Sequence, residues 1–366
     1  MLPECTRSLW PQSIQALIPM SVKPMQASMH VDCCQFAGVQ QYVEIFPFMS
    51  ENWRRHFDRY EWVGAVDLAS NHIRVSDKFR HDPPPAYSPR SNPSEICFVV
   101  PHQALSVNGW SDPVAADVFV EALNAYAEEN WVSTSSKIAI VVSPFDPQAS
   151  ALRIRRRGAS EGVGAVAVPL IPTMLGSGYW DPVYDACQEL GLPVLIHYSG
   201  VEGSYAGAPA LSGAAHTNPL SRLVLMPHLA ESNTASLVFE GTFYRFPRLQ
   251  ILFAGFGFKW VPSLLRRMDQ EWRNFRSDMP WVREKPSNKF LSNIWVSSYP
   301  VGEAVNPERW QNEFSGAVLD RIVYSSHAPF ETDGIESVKV VLGESWVERL
   351  MRNGRAFISH DAKVEA

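Results

Sequence analysis

The chain has 366 residues, 46% of them hydrophobic and 19% charged, with a formal net charge of -6. That is ample material for a large buried core, and the mild acidic excess, with no basic face, excludes a nucleic-acid-binding class. Cysteines at 5, 33, 34, 97 and 187 are too few and too scattered for a disulfide framework or zinc knuckle, so a reducing cytoplasm is expected, with Cys33 and Cys34 as small buried hydrophobes.

Residues 1–27 form a lead segment broken by Pro3, Pro11, Pro19 and Pro24. It holds no apolar run of signal-peptide length, and no later stretch approaches the ~18 apolar residues of a membrane span. A soluble, unexported protein is the expectation. SMHVDCC (28–34) reads as a first strand. Residues of about 55–94, including HDPPPAYSPRSNPSE (81–95), are rich in proline and polar groups, and predict an irregular insertion after that strand, suited to a lid or contact surface.

From there short β-branched runs alternate with helical patterns. Strand EICFVVP (95–101) precedes helix DPVAADVFVEALNAYAEENW (112–131), and strand KIAIVVSP (137–144) precedes helix DPQASALRIRR (146–156). The arginine run 153–157 at that helix end reads as solvated surface. GVGAVAVP (162–169) is followed by helix WDPVYDACQELG (180–191), whose closing glycine is a C-cap signal. Strand LPVLIHYSG (192–200) leads into a Gly- and Ala-rich loop. The remaining units are helix 231–247, strand LQILFAG (249–255), helix 258–276, strand NIWVSSYP (293–300), helix 307–318 and strand DRIVYSS (320–326). Eight strands predict one (β/α)8 TIM barrel over 28–366. A doubly wound sheet would carry a Gly-rich phosphate loop after its first strand, and none is present.

In such a barrel the reacting groups stand at the C-terminal strand ends. Strand one offers His30 and Asp32, which the two-residue period turns to one face. Strand five ends in His197, followed by Tyr198 and Ser199; strand six in Gly255, Phe256 and Gly257; strand seven in Ser297, Ser298 and Tyr299; strand eight in His327. His30, Asp32, His197 and His327 form a plausible ligand set for one divalent ion such as zinc, the alternative being hydrogen-bonded structural histidines. His228, at the start of the following helix, is an acid-base candidate or a surface residue. His216 is a weaker version of the same idea.

These residues carry a family likeness. LGLPVLIHYSG, SLVFEGTFYRFPRLQILFAGFGFKWVPSLLRRMDQEWRNFR, PWVREKPSNKF and DRIVYSSHAP resemble the amidohydrolase-related family that includes aminocarboxymuconate-semialdehyde decarboxylase, over residues of about 28–334. The resemblance implies a metal-centred barrel doing non-redox decarboxylation or hydrolysis on a small molecule, often as a homodimer. It also implies departures. Where the family usually has Asp-x-His or His-x-His on strand one, this chain has His30-Val31-Asp32; where a Glu is common near the end of strand six, it has Gly255. The family's SSDYPH becomes SSHAPF, with His327 in place of the ligand aspartate and Phe330 in place of the trailing histidine.

Two chemistries fit these residues. In the first, His30, Asp32, His197 and His327 hold a metal, and the chain is a decarboxylase-like lyase or hydrolase for a small carboxylate or carbonyl compound, in the manner of secondary metabolism. In the second, no metal is used. His30, Asp32 and His327 then act as an acid-base set, with His228 as an auxiliary, in a pocket lined by Tyr198, Phe256 and Trp260 with Ser298 as a further substrate-binding residue, suited to cyclisation, isomerisation or dehydration. A non-catalytic small-molecule binder is the reading from another class.

Overall fold

The computed structural model describes residues 30–39, 41–59, 95–199, 224–301, 314–329 and 334–359. The lead segment 1–27, the insertion from 60 to 94, His216 and most of the helix expected at 307–318 lie outside the described residues.

Eight parallel strands lie side by side in chain order: β1 His30–Ala37, β2 Glu95–Pro101, β3 Ser136–Val141, β4 Val163–Pro169, β5 Val194–His197, β6 Ile251–Phe253, β7 Ile294–Ser297 and β8 Ile322–Val323. The first and last strands meet. Cys33 N–H donates to the Tyr324 carbonyl at 3.0 Å and Phe36 N–H to the Ala328 carbonyl at 2.7 Å, so the sheet closes into the (β/α)8 barrel expected from the alternation. The strands are buried on both faces, which is why they read as continuous apolar runs rather than alternating ones.

Local chemistry explains the helices. Asp112 caps the helix Pro113–Asn130 by accepting from the amides of Val114 and Ala115 at 2.9 and 3.0 Å, and Asp146 caps Pro147–Arg157 through the Ala149 amide at 2.9 Å. In both, proline occupies the first turn, where its missing N–H costs nothing. Gly191 ends the helix Asp181–Leu190 at φ 66, the left-handed C-cap its position predicts.

Buried asparagines then tie helices to strands. Asn124 donates to the Val141 carbonyl at 2.8 Å and accepts the Val141 amide at 3.0 Å, while Asn353 donates to the Leu319 and Ile322 carbonyls at 2.9 and 2.7 Å. These bonds satisfy backbone groups at strand ends that burial would otherwise leave unpaired.

The arginine run is more ordered than a solvated surface. Arg153 pairs with Asp117, Arg155 with Asp185 and Glu189, Arg156 with Glu121, and Arg157 with Glu128 and Glu121, lacing three neighbouring helices together. Cys33 and Cys34 are fully buried, and burial holds both thiols well above their usual range, so they behave as hydrophobes. No described helix is long and apolar enough to cross a membrane.

Candidate functional site

The C-terminal mouth of the barrel is built around two imidazoles. His197 is the last residue of β5, and His327 follows β8 by four positions; both are buried. His327 sits at φ 61, the one non-glycine residue in the left-handed region among those described. Its turn is held from β1: the His327 amide donates to the Cys34 carbonyl at 3.3 Å, and the Ser326 amide to Asp32 Oδ1 at 3.0 Å.

The rings meet nitrogen to nitrogen, with His197 Nε2 3.0 Å from His327 Nε2. His197 Nδ1 lies 2.5 Å from the Tyr198 carbonyl oxygen. A carbonyl can only accept, so Nδ1 carries a proton, and in the neutral form of His197 the lone pair is on Nε2. His327 Nε2 therefore donates the proton between the rings. The pair holds a transferable hydrogen in a defined direction.

Its surroundings are aromatic. Tyr299 stacks on His327 with centroids 4.0 Å apart and planes 6° from parallel, and Tyr198 leans on His197 at 4.1 Å. Phe256 closes a further side, 6.4 Å from His197 and 5.7 Å from Tyr198. Phe36, near the end of β1, presents its ring edge-on to His197 at 4.6 Å, His327 at 4.9 Å and His102 at 5.5 Å. Gly255, at φ 88, makes room for all this: a Cβ there would stand 2.5 Å from His197 Nε2.

The residues expected at the site thus divide. His197, His327, Tyr198 and Phe256 come together. Asp32 is buried beside them but engaged elsewhere: Oδ1 accepts the Ser326 and Cys34 amides at 3.0 and 3.3 Å, and Oδ2 accepts Gln35 Nε2 at 2.7 Å. Burial pushes its carboxyl upward while these donors pull it back. His30 is the exposed first residue of β1, at the end of the strand away from the mouth, because the strand expected at 28–34 starts at His30 and runs on to Ala37.

His228 is exposed in the first turn of the helix Pro227–Phe239, its carbonyl accepting Ser232 Oγ at 2.8 Å. Ser298 ties β7 to β8, donating its amide to Val323 at 2.8 Å and accepting the Ser325 amide at 3.4 Å. Trp260 donates to the Gly257 carbonyl at 2.9 Å and packs on Phe253 and Phe290. Phe36 and His102 are site residues that the sequence pattern does not single out, and Tyr299, expected at the end of strand seven, takes a place beside His327. His102 directly follows the apolar run EICFVVP, and that position was the available signal.

A parallel eight-stranded barrel with histidines at its C-terminal mouth defines a class of barrel enzymes. The model of the amidohydrolase family matches residues 54–345, and the chain belongs to that family. No curated protein matches it significantly. Solved structures match over nearly the whole fold. The 5-carboxyvanillate decarboxylase of Sphingomonas paucimobilis is 15% identical with a TM-score of 0.63, the match covering 90% of this chain and 98% of that one. An amidohydrolase of Mycobacterium avium subsp. paratuberculosis K-10 is 19% identical at TM-score 0.63, covering 90% and 97%. The 5-carboxyvanillate decarboxylase of Novosphingobium aromaticivorans, complexed with manganese and 4-hydroxy-3-methoxy-5-nitrobenzoic acid, is 17% identical at TM-score 0.63, covering 90% and 96%. At such identities the likeness is one of fold.

The manganese of that last structure asks whether this chain offers a comparable donor set. Metal–nitrogen bonds of about 2.1 Å put two nitrogen ligands of one ion about 3 Å apart, so the imidazole spacing alone suits a shared ion as well as a shared proton. The third donor decides. Catalytic zinc sites take about three protein ligands, yet Asp32 is held by N–H donors, His30 is at the far strand end, Gly255 has no side chain, and the Phe36 ring stands against both imidazoles. Among the described residues no three His, Cys, Asp or Glu side chains are grouped to hold an ion. The described residues do not fit a resident metal.

Proposed function

We infer that this chain is an enzyme of non-redox acid-base chemistry on a small carboxylate or carbonyl compound, with the His197 and His327 pair as its proton-transfer group. The observation that carries this reading is the 3.0 Å contact between the two Nε2 atoms, with the His197 tautomer set by Tyr198. A pair arranged in this way can deliver a proton to a carbon or oxygen of a bound substrate and take one back. Its aromatic walls suit a planar, largely apolar molecule.

Decarboxylation is the first reaction to test, since the chain shares its fold with decarboxylases. In that reaction a proton adds to the carbon bearing the carboxylate, the carbon–carbon bond breaks and CO2 leaves, with no electron acceptor required. The second reading is cyclisation, isomerisation or dehydration on the same pair, favoured by the short donor set.

The test is turnover of a panel of hydroxylated aromatic acids and β-keto acids, followed by chromatography with and without chelator. Turnover that survives chelation and is lost in His327→Gln is the expected result. Turnover abolished by chelator and restored by manganese would replace this reading with a metal-dependent one. Ligand binding with no conversion of any compound would support the non-catalytic binder.

A further inference from the structure

Three imidazoles stand around one phenyl ring. Phe36 lies edge-on to His197, His327 and His102 at 4.6, 4.9 and 5.5 Å between centroids, and is itself only 1% exposed. The three histidines come from separate elements: the end of β5, the turn after β8, and the helix His102–Leu105 directly after β2. Such convergence normally surrounds an ion or a polar ligand, because imidazole is the commonest neutral nitrogen donor. Here what the three share is a carbon ring.

We propose that Phe36 is a built-in plug that keeps a three-histidine cage from taking a divalent cation, leaving the His197 and His327 nitrogens to share a proton instead. A cation and a proton compete for the same pair of Nε2 lone pairs, which are 3.0 Å apart. Two imidazoles alone hold a divalent ion weakly, and all three pack on the same phenyl ring, so the phenyl decides which of the two occupies the pair.

The wall at Gly255 adds no competing donor, since any side chain there would start 2.5 Å from His197 Nε2. Replacing the plug should convert the cage from an apolar contact into a metal site.

This inference bears on the proposed function but is tested apart from it. Wild type, Phe36→His and Phe36→Ala would be titrated with Zn2+ and with Co2+, reading bound metal by equilibrium dialysis and the visible absorption of bound Co2+, with folding checked by circular dichroism. Wild type should bind no stoichiometric ion. Phe36→His should bind about one per chain, with loss of that ion in Phe36→His/His327→Ala.

Phe36→Ala, which opens space without adding a donor, should bind Co2+ more tightly once imidazole is supplied in solution. The proposal is overturned by wild type binding one ion that His197→Ala abolishes, since the ring would then be no barrier. It is also overturned if folded Phe36→His binds no more metal than wild type. Neither readout uses turnover, so an inactive protein leaves the test intact.

Discussion

Asp32 Oδ1 accepts the amide of Ser326 at 3.0 Å, tying the first strand of the barrel to the residue immediately before His327. The bond explains how a histidine can be held at φ 61: the Ser326 hydroxyl in turn accepts the Ala328 amide at 3.2 Å, so the peptide groups on both sides of His327 are pinned. A carboxylate is well suited here, because it accepts from three N–H groups and offers none of its own.

Asp32→Asn puts an NH2 where one of those donors arrives. The expected cost is about 1–3 kcal/mol of unfolding free energy, read from urea denaturation, with faster hydrogen exchange at the Ser326 and Ala328 amides. An unchanged midpoint and unchanged exchange would show that the carboxylate does not hold this turn.

The arginine network makes a weaker prediction. Glu121 takes Arg156 and Arg157 at 2.6 and 3.3 Å, and Arg153 at 3.6 Å. Exposed pairs contribute little, but one carboxylate serving three guanidiniums sits in an incompletely solvated network. Glu121→Gln should lower stability by about 1 kcal/mol at low salt, and the difference should shrink in 1 M NaCl, where screening acts over about 3 Å. A loss independent of salt would assign the effect to packing.

What the sequence discloses follows from range. Strand order and helix starts depend on neighbouring residues, so the Asp-Pro caps at 112 and 146 and the Gly191 C-cap are legible directly. Strand ends are less so. The first strand is expected to end at Cys34, yet closure against the segment after β8 carries it to Ala37. That shift of three residues is what moves His30 away from the mouth and brings Phe36 into it. The convergence of Phe36 with His102 joins positions 66 apart in sequence, and no local pattern encodes that a phenylalanine on one strand end will sit among imidazoles from three others.

Gly255 is the position where the backbone and the site are coupled most tightly. Its φ of 88 lies where L side chains are strained, and its ideal Cβ would approach His197 Nε2 to 2.5 Å and Tyr198 Cε1 to 3.0 Å. Gly255→Ala should therefore cost about 1–3 kcal/mol, and should displace the His197 ring from His327. NMR of imidazole-labelled protein would show this as loss of the hydrogen-bonded ring N–H. Retention of that signal with full stability would mean the β6 end can relax away from the pair.

The last prediction concerns acid. Burial lowers the His102 pKa to about 4 in the folded protein against an ordinary value of 6.5. Between these values the unfolded chain binds a proton at this residue and the folded chain does not, so unfolding takes up protons and stability rises with pH across the window. Falling pH therefore removes stability progressively from about 6.5 down to about 4, where the folded form also protonates. His102→Asn abolishes this titration. The urea midpoint of wild type should drop between about pH 7 and about pH 5 by more than that of the variant, the difference growing steadily on acidification. Parallel pH dependences for the two proteins would place the acid sensitivity elsewhere, and would mean that water reaches the imidazole beside Phe36 well enough to solvate its charge.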